Sequence, residues 1–228
     1  MTMDTVTTAD IEKVVTGLGD LGDSMVFVGG SIVSFYADDP GAGEARPTED
    51  IDMTLSSSGS YSWDLIQEEL IELGFNPNPE RSICSFTFEG IEVDIMPSTA
   101  GSPGPVNSWY QPGFDTKVLV RVGNISISLL SAPYFLASKF EAFQDRGADP
   151  RLSDDLEDIV YVLDNRINLV DEITKTDDEV KNFIVESLRN FQNHPNWEEI
   201  ISAHLETEER FPMIAKKIEQ ITSLLNIE

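Results

Sequence analysis

Cysteine, histidine and basic residues are scarce in this sequence, and each scarcity removes a class of function. Cys84 is the one cysteine, so no internal disulfide can form. Its alternating surroundings, RSICSFTFEG, make it a small buried hydrophobe. That usage fits a reducing, cytoplasmic setting. The two histidines, His194 and His204, have no second ligand type beside them, which argues against a zinc site or a histidine-centred triad. No apolar run approaches the roughly 18 residues of a membrane span. The N-terminal MTMDTVTTADIEK lacks the basic start and apolar core of a signal peptide. Lys and Arg total 15 against 41 Asp and Glu, a formal charge of -26. So acidic a surface repels nucleic acid unless a basic patch, bound cations or salt offsets it. Its first meaning is solubility, a saline habitat included.

What the sequence does have is room for a core: 228 residues, 40% of them apolar. TADIEKVVTGL carries a Thr or Asp cap and apolar residues at helical spacing, and predicts a first helix. SMVFV reads as a short buried strand ended by Gly29 and Gly30, and SIVSFYA as a helix starting at Ser31. DDPGAGEARPTE is a loop. DIDMTL alternates, with Ile51, Met53 and Leu55 on one face and Asp50, Asp52 and Thr54 on the other. SYSWDLIQEELIELGF predicts an amphipathic helix on Trp63, Leu65, Ile66, Leu70 and Leu73, closed by Gly74. SICSFTFEGIEVDIMP predicts two strands around a Glu89-Gly90 turn, with Glu92 and Asp94 opposite Ile91, Val93 and Ile95. STAGSPGPVNSWYQPGFDT is a loop, and KVLVRVGNISISLL is one long strand or a hairpin turning at Gly123-Asn124. After Leu130 the pattern becomes helical, over 132–144, 153–165, 176–193, 196–205 and 208–225. The expected class is α+β, with a boundary near residue 131.

Two motifs carry chemistry. A strand ending in Gly-Gly, followed at once by Ser31 and a helix, lets a phosphate approach backbone N–H groups at a positive helix end. Most Gly-Gly turns are only turns. Asp-x-Asp alone is also weak, since this composition yields about two such pairs by chance. The order of parts raises the signal: strand, Gly-Gly-Ser, helix, loop, a strand opening with Asp-Ile-Asp, then a later strand with Asp94 on its polar face. Three carboxylates beside a phosphate-binding turn suit phosphoryl transfer with divalent metal, because hard cations take oxygen ligands and must also touch the triphosphate.

At these residues the chain resembles the nucleotidyltransferase superfamily typified by DNA polymerase β, and most nearly the nucleotidyltransferase toxins of bacterial abortive-infection and toxin–antitoxin systems. VGGS, TEDIDM and EVDIM look like the family's Gly-Gly-Ser element, paired aspartates and third carboxylate. ARPTEDID looks like its arginine and Thr before the aspartates, Arg46 and Thr48. Twenty positions separate Gly30 from Asp50, longer than the family's usual interval, and DDPGAGEA reads as a loop insertion.

In the helical half, Lys139 lies three residues after Leu136 and four before Phe143, an ammonium on an apolar stripe. A lysine there ordinarily snorkels outward. The resemblance gives LASKFEAF the role of the family's Leu-Ala-x-Lys helix, whose lysine reaches the nucleotide phosphates. In RLSDDLEDIVYVLDNR, Asp155 falls at the edge of the stripe formed by Leu156, Ile159, Val160 and Leu163. The family's Arg-x-x-Asp-x-x-Asp segment maps onto Asp155, with Asp158 as its second aspartate. Apart from the resemblance, Asp154, Glu157 and Asp158 read as helix-surface acids.

The resemblance spans about residues 24–165 and implies a mixed β-sheet flanked by helices. It implies a nucleotidyltransferase-like domain over 1–131 and a helical domain over 132–228 that completes the active-site cleft. The implied activity is transfer of a nucleoside monophosphate from an NTP to an acceptor hydroxyl. Asp50, Asp52 and Asp94 would hold Mg²⁺ or Mn²⁺. Gly29, Gly30, Ser31, Arg46, Thr48 and Lys139 would bind nucleotide, with Asp155 orienting the lysine or the acceptor. The toxin resemblance further implies tRNA as acceptor and an antitoxin as partner. An acidic cleft also suits a cationic small molecule, as in aminoglycoside modification. A silent, partner-binding relative is the third reading, against which the three intact carboxylates speak. Arg81, Arg121, Arg146 and Arg151 are the candidates for a basic patch near the motifs.

Overall fold

The alternation in DIDMTL and IEVDIM builds the middle of a seven-stranded mixed sheet. In the computed structural model, which describes residues 5–55, 63–98, 106–147 and 149–225, the chain divides into two compact units. One comprises Met1–Ile32 with Pro47–Ser131, the other Val33–Arg46 with Ala132–Glu228. Residues 33–46, read from sequence with the first domain, thus group with the helical half.

The first unit runs α1 (Thr8–Leu18), β1 (Met25–Val28), β2 (Asp50–Leu55), α2 (Trp63–Glu72), β3 (Asn76–Pro77), β4 (Ser85–Phe88), β5 (Ile91–Pro97), α3 (Tyr110–Gly113), β6 (Val118–Val122) and β7 (Ile125–Leu129). Strand order is β3-β4-β5-β2-β1-β7-β6. The β2–β5 and β1–β7 pairs are parallel and the rest antiparallel. The run KVLVRVGNISISLL is the hairpin β6–β7, turning at Gly123 with φ 56°. Glu89 and Gly90 both adopt positive φ, 49° and 85°, as a tight turn between twisted antiparallel strands demands. Alternate residues of β5 (Ile91, Val93, Ile95) are buried while Glu92 and Asp94 are half-buried, so the polar face of the sheet is the face that carries the acids.

Two expectations need correction. SIVSFYA is a 3₁₀ helix over Gly30–Tyr36 instead of an α-helix from Ser31. The segment is short, and Ile32, Val33, Phe35 and Tyr36 lose side-chain freedom in an α-helix. In α2 the buried stripe is Trp63, Ile66 and Leu70, and Leu65 is exposed, because two residues are about 200° around a helix. Short elements β3, α3 and α6 (Leu169–Lys175) are too brief to show a period. The predicted start of α2 at residues 60–62, and residues 99–105 of the predicted loop, lie outside the described residues.

The second unit is helical: α4 (Ala132–Arg146), α5 (Asp154–Asn165), α6, α7 (Asp178–Gln192), α8 (Trp197–Ala203) and α9 (Phe211–Thr222). Helix α4 packs on α5, α6 and α7, and α9 on α5 to α8. Residues 33–46 are fastened here by the Tyr36 and Phe135 rings, 4.4 Å apart. The Asp38 and Asp39 amides both donate to the Asn165 carbonyl at 3.1 Å. The Tyr161 hydroxyl donates to the Gly43 carbonyl at 3.1 Å. No described helix is long and apolar enough to cross a membrane.

Helix α1 begins with a capping box. Thr7 Oγ1 accepts from the Asp10 amide at 3.3 Å, and the Asp10 carboxylate accepts from the Thr7 amide at 3.0 Å. Thr7→Ala should lower stability by about 1 kcal/mol, read as a lower urea midpoint at unchanged slope.

Candidate active site

The register of two parallel strands decides where the acids meet. In the β2–β5 ladder Asp50 stands opposite Glu92, and Asp52 opposite Asp94. Paired residues in register share a face, so four carboxylates occupy one patch of sheet. Oxygens of Asp50, Asp52 and Asp94, one from each, lie within 4.8 Å of one another. The Asp94 Oδ1 atom is buried without a hydrogen-bond partner. Burial holds the Asp94 carboxyl above the ordinary carboxylate range, against the opposing pull of Ser85 and Arg81. Convergent oxygens with an unsatisfied buried acceptor fit a hard divalent cation such as Mg²⁺ or Mn²⁺. Next to them, burial first and then Asp94's charge push the Cys84 thiol up to about 11, so it remains a packing residue.

On the other side of β2, Val28 pairs with Asp52, and the chain then turns at Gly29 with φ 76°. A Cβ at Gly29 would collide with the Asp52 carboxylate. Glycine is therefore required twice, by its backbone conformation and by the approach of the acid. Gly30 and Ser31 follow at the start of the 3₁₀ helix, and Ser31 Oγ is buried without a hydrogen-bond partner. Thr48 is buried just before β2, and its carbonyl accepts from the Val6 amide at 2.8 Å.

One cation is already on the acidic patch. The Arg81 guanidinium, from the turn between β3 and β4, donates to Asp50, with Glu92 Oε2 at 3.6 Å and Asp94 Oδ2 at 3.8 Å. Burial works against its charge, but Asp94, Asp50 and Glu92 together raise its pKa. Asn78 adds a hydrogen bond to Glu92 at 3.3 Å. Sequence reading named Arg81 only as a patch candidate, although the Asn-Pro repeats of NPNPER are the signal of the turn that delivers it.

The remaining predicted residues lie in the second unit, in an ion cluster between α4, α5 and the 33–46 segment. Lys139 Nζ is 3.2 Å from Asp155 Oδ1 and 2.7 Å from Asp158 Oδ2. Arg46 donates to both Asp158 oxygens, at 2.9 and 3.2 Å. Arg146 donates to Asp155 at 2.8 Å. Lys139, Asp155 and Asp158 are all buried. Asp158 thus corrects the surface-acid reading: its partner Arg46, 112 residues away, turns an apparent surface position into an interior one. Burial opposes the charge of Arg46, and Asp158, Asp154 and Glu157 together more than offset it. Of the other patch candidates, Arg151 pairs with Asp149 and Glu199, and Arg121 donates to the Gly123 carbonyl. The histidines serve structure: His204 Nε2 meets the Pro150 carbonyl at 2.8 Å and His194 Nδ1 accepts from the Asn196 amide at 3.2 Å. A polar pocket in this unit, lined by Arg46, Asp158, Asp164 and Arg210 among others, has about 60 Å³, room for a few waters and not for a nucleotide.

Two substitutions test this geometry. Gly29→Ala should destabilise the protein by more than about 1 kcal/mol, as a side chain at positive φ does even without a clash, with thermal melting as the readout. Asp158→Asn would leave Lys139 and Arg46 with too little negative charge in a buried place. It should cost about 3 kcal/mol, measured by urea unfolding.

Comparison with known proteins gives a fold and a family. No protein of curated function matches the chain. A solved structure of an antigenic nucleotidyltransferase-like protein from Paracoccidioides brasiliensis is similar in fold, with a TM-score of 0.51 at 16% identity, over 92% of this chain and 100% of that one. The family described as nucleotidyl transferase AbiEii toxin, type IV TA system, matches residues 15–220. With nearly its whole length covered, the chain belongs to the AbiEii family of nucleotidyltransferase toxins.

Proposed function

We propose that the protein moves a nucleoside monophosphate from an NTP to a hydroxyl of an RNA acceptor, the 3′ end of tRNA in particular. The acceptor oxygen forms a bond to the α-phosphorus, the bond from that phosphorus to the β-phosphate oxygen breaks, and pyrophosphate leaves. The observation that carries this reading is the meeting of Asp50, Asp52 and Asp94 with the Gly29-Gly30-Ser31 turn. Family membership supports the reaction class and the toxin setting, and an antitoxin partner and a cytoplasmic place of action are part of the same proposal.

Asp50, Asp52 and Asp94 would hold the divalent metal, Asp50 and Asp52 on the side of the triphosphate. Mg²⁺ or Mn²⁺ bound there would supply neutralisation of phosphate charge and a lowered pKa for the attacking hydroxyl. The protein's own groups orient the reactants. Backbone amides of Gly29 and Gly30 approach the β- and γ-phosphates because no side chain stands in the way. The partnerless Ser31 hydroxyl donates to a phosphate oxygen. Arg46 and Thr48 contribute to nucleotide binding. Lys139 acts on the phosphates, and Asp155, 3.2 Å from its ammonium, orients it.

A second acceptor class has its own support. The charge of -26 and the engagement of Arg81, Arg146 and Arg151 by carboxylates would suit a cationic small molecule as acceptor. Incubation with each of four α-³²P-labelled NTPs, Mg²⁺, and either total tRNA or an aminoglycoside separates the two. Label on tRNA is expected. Asp52→Asn should reduce labelling at least about 100-fold, the scale of the several kcal/mol that metal-borne charge stabilisation supplies, with melting temperature unchanged. Undiminished labelling by the variant overturns the assignment, and label on the aminoglycoside alone transfers the acceptor to the second class.

A further inference from the structure

Arg81 sets a condition on how the acidic patch can be loaded. Its guanidinium is bonded to Asp50 Oδ2 and lies 3.8 Å from Asp94 Oδ2, and both acids belong to the set that converges on a cation site. Four carboxylates stand on adjacent strands here in register, and like charges so placed repel. Arg81 is placed to compensate three of them, reaching Asp50, Asp94 and Glu92 together. A divalent ion on Asp50 and Asp94 would face a guanidinium held on the same two carboxylates, a repulsion between cations at close range. The two cations compete for the same carboxylate charge.

The means of departure is present. Arg81 sits in a turn closed by its own amide donating to the Asn78 carbonyl at 3.1 Å. That turn follows β3, a two-residue strand at the sheet edge. About a third of the Arg81 side chain is exposed, so it can swing into water without unpacking a core.

We propose that Arg81 is a resident counter-cation that a divalent metal displaces from Asp50 and Asp94, so that metal loading is an exchange of one cation for another. The proposal rests on the reading that Asp50, Asp52 and Asp94 take a divalent metal. In the metal-free protein Arg81 keeps the acidic patch compact. In the loaded protein its guanidinium is released at the rim, with a donor fork suited to anionic oxygens.

The experiment is a Mn²⁺ titration of the full chain, with free Mn²⁺ read by electron paramagnetic resonance, on wild type, Arg81→Gln, Arg81→Lys and Asp52→Asn. Arg81→Gln should bind Mn²⁺ about tenfold tighter than wild type, the worth of one charge-assisted hydrogen bond. Arg81→Lys, which keeps the charge and loses the fork, should fall between them. The gain should persist at about 1 M KCl, where a screening length of about 3 Å removes the general effect of deleting a positive charge. Thermal melts give a second readout: Arg81→Gln should melt below wild type in EDTA, and the difference should close at saturating Mn²⁺. Equal Mn²⁺ affinities, a gain that vanishes at high salt, or a melting difference that Mn²⁺ leaves unchanged would each overturn the exchange while leaving the metal site standing. Absence of Mn²⁺ binding from wild type and Arg81→Gln alike, or binding unchanged in Asp52→Asn, would overturn the metal reading itself.

Discussion

Carboxylates forced side by side on two parallel strands are the constraint from which the rest of the first unit follows. The β2–β5 register sets Asp50 beside Glu92 and Asp52 beside Asp94. Such crowding of like charge is unfavourable unless a cation answers it. Arg81 answers it from one side. From the other, Gly29 yields its side chain so that the Asp52 carboxylate can stand against the β1 turn. The opposite face of the same strands, with Ile51, Met53, Val93 and Ile95 buried, anchors the acids to the core. The sheet thus spends its apolar face on stability and its polar face on chemistry.

The second unit handles charge by another rule. Lys139, Asp155, Asp158 and Arg46 are drawn into a network in which every ion has an opposite partner. Buried pairs of this kind contribute little net stability, but removing one member leaves the others stranded. Their effect is to fix α4, α5 and the 33–46 segment in one arrangement. The ammonium of Lys139 is held in place by Asp155 and Asp158.

Much of this was legible in the amino-acid order because period-two patterns are explicit: DIDMTL and IEVDIM declare which face is polar, and GG before a helical run declares a turn. The periodicity of Leu136, Lys139 and Phe143 likewise put an ammonium on an apolar stripe, and the lysine is buried. What was hidden depends on contacts between distant residues. Nothing local reveals that Asp52 pairs with Asp94 in a parallel ladder, or that Arg46 reaches across 112 positions to bury Asp158. The 3₁₀ winding of Gly30–Tyr36 was hidden for a different reason. Seven residues are too few to separate periods of 3.0 and 3.6.

The central claim is that Asp50, Asp52 and Asp94 hold divalent metal against a nucleotide cradled by Gly29, Gly30 and Ser31. The most direct test is a crystal structure with Mn²⁺ and a non-hydrolysable NTP, with the metal located by its anomalous scattering. The account predicts anomalous peaks coordinated by oxygens of these three aspartates, with β- and γ-phosphates against the Gly29–Ser31 backbone. Ordered nucleotide elsewhere, or Mn²⁺ absent from these carboxylates while the nucleotide is bound, would contradict it.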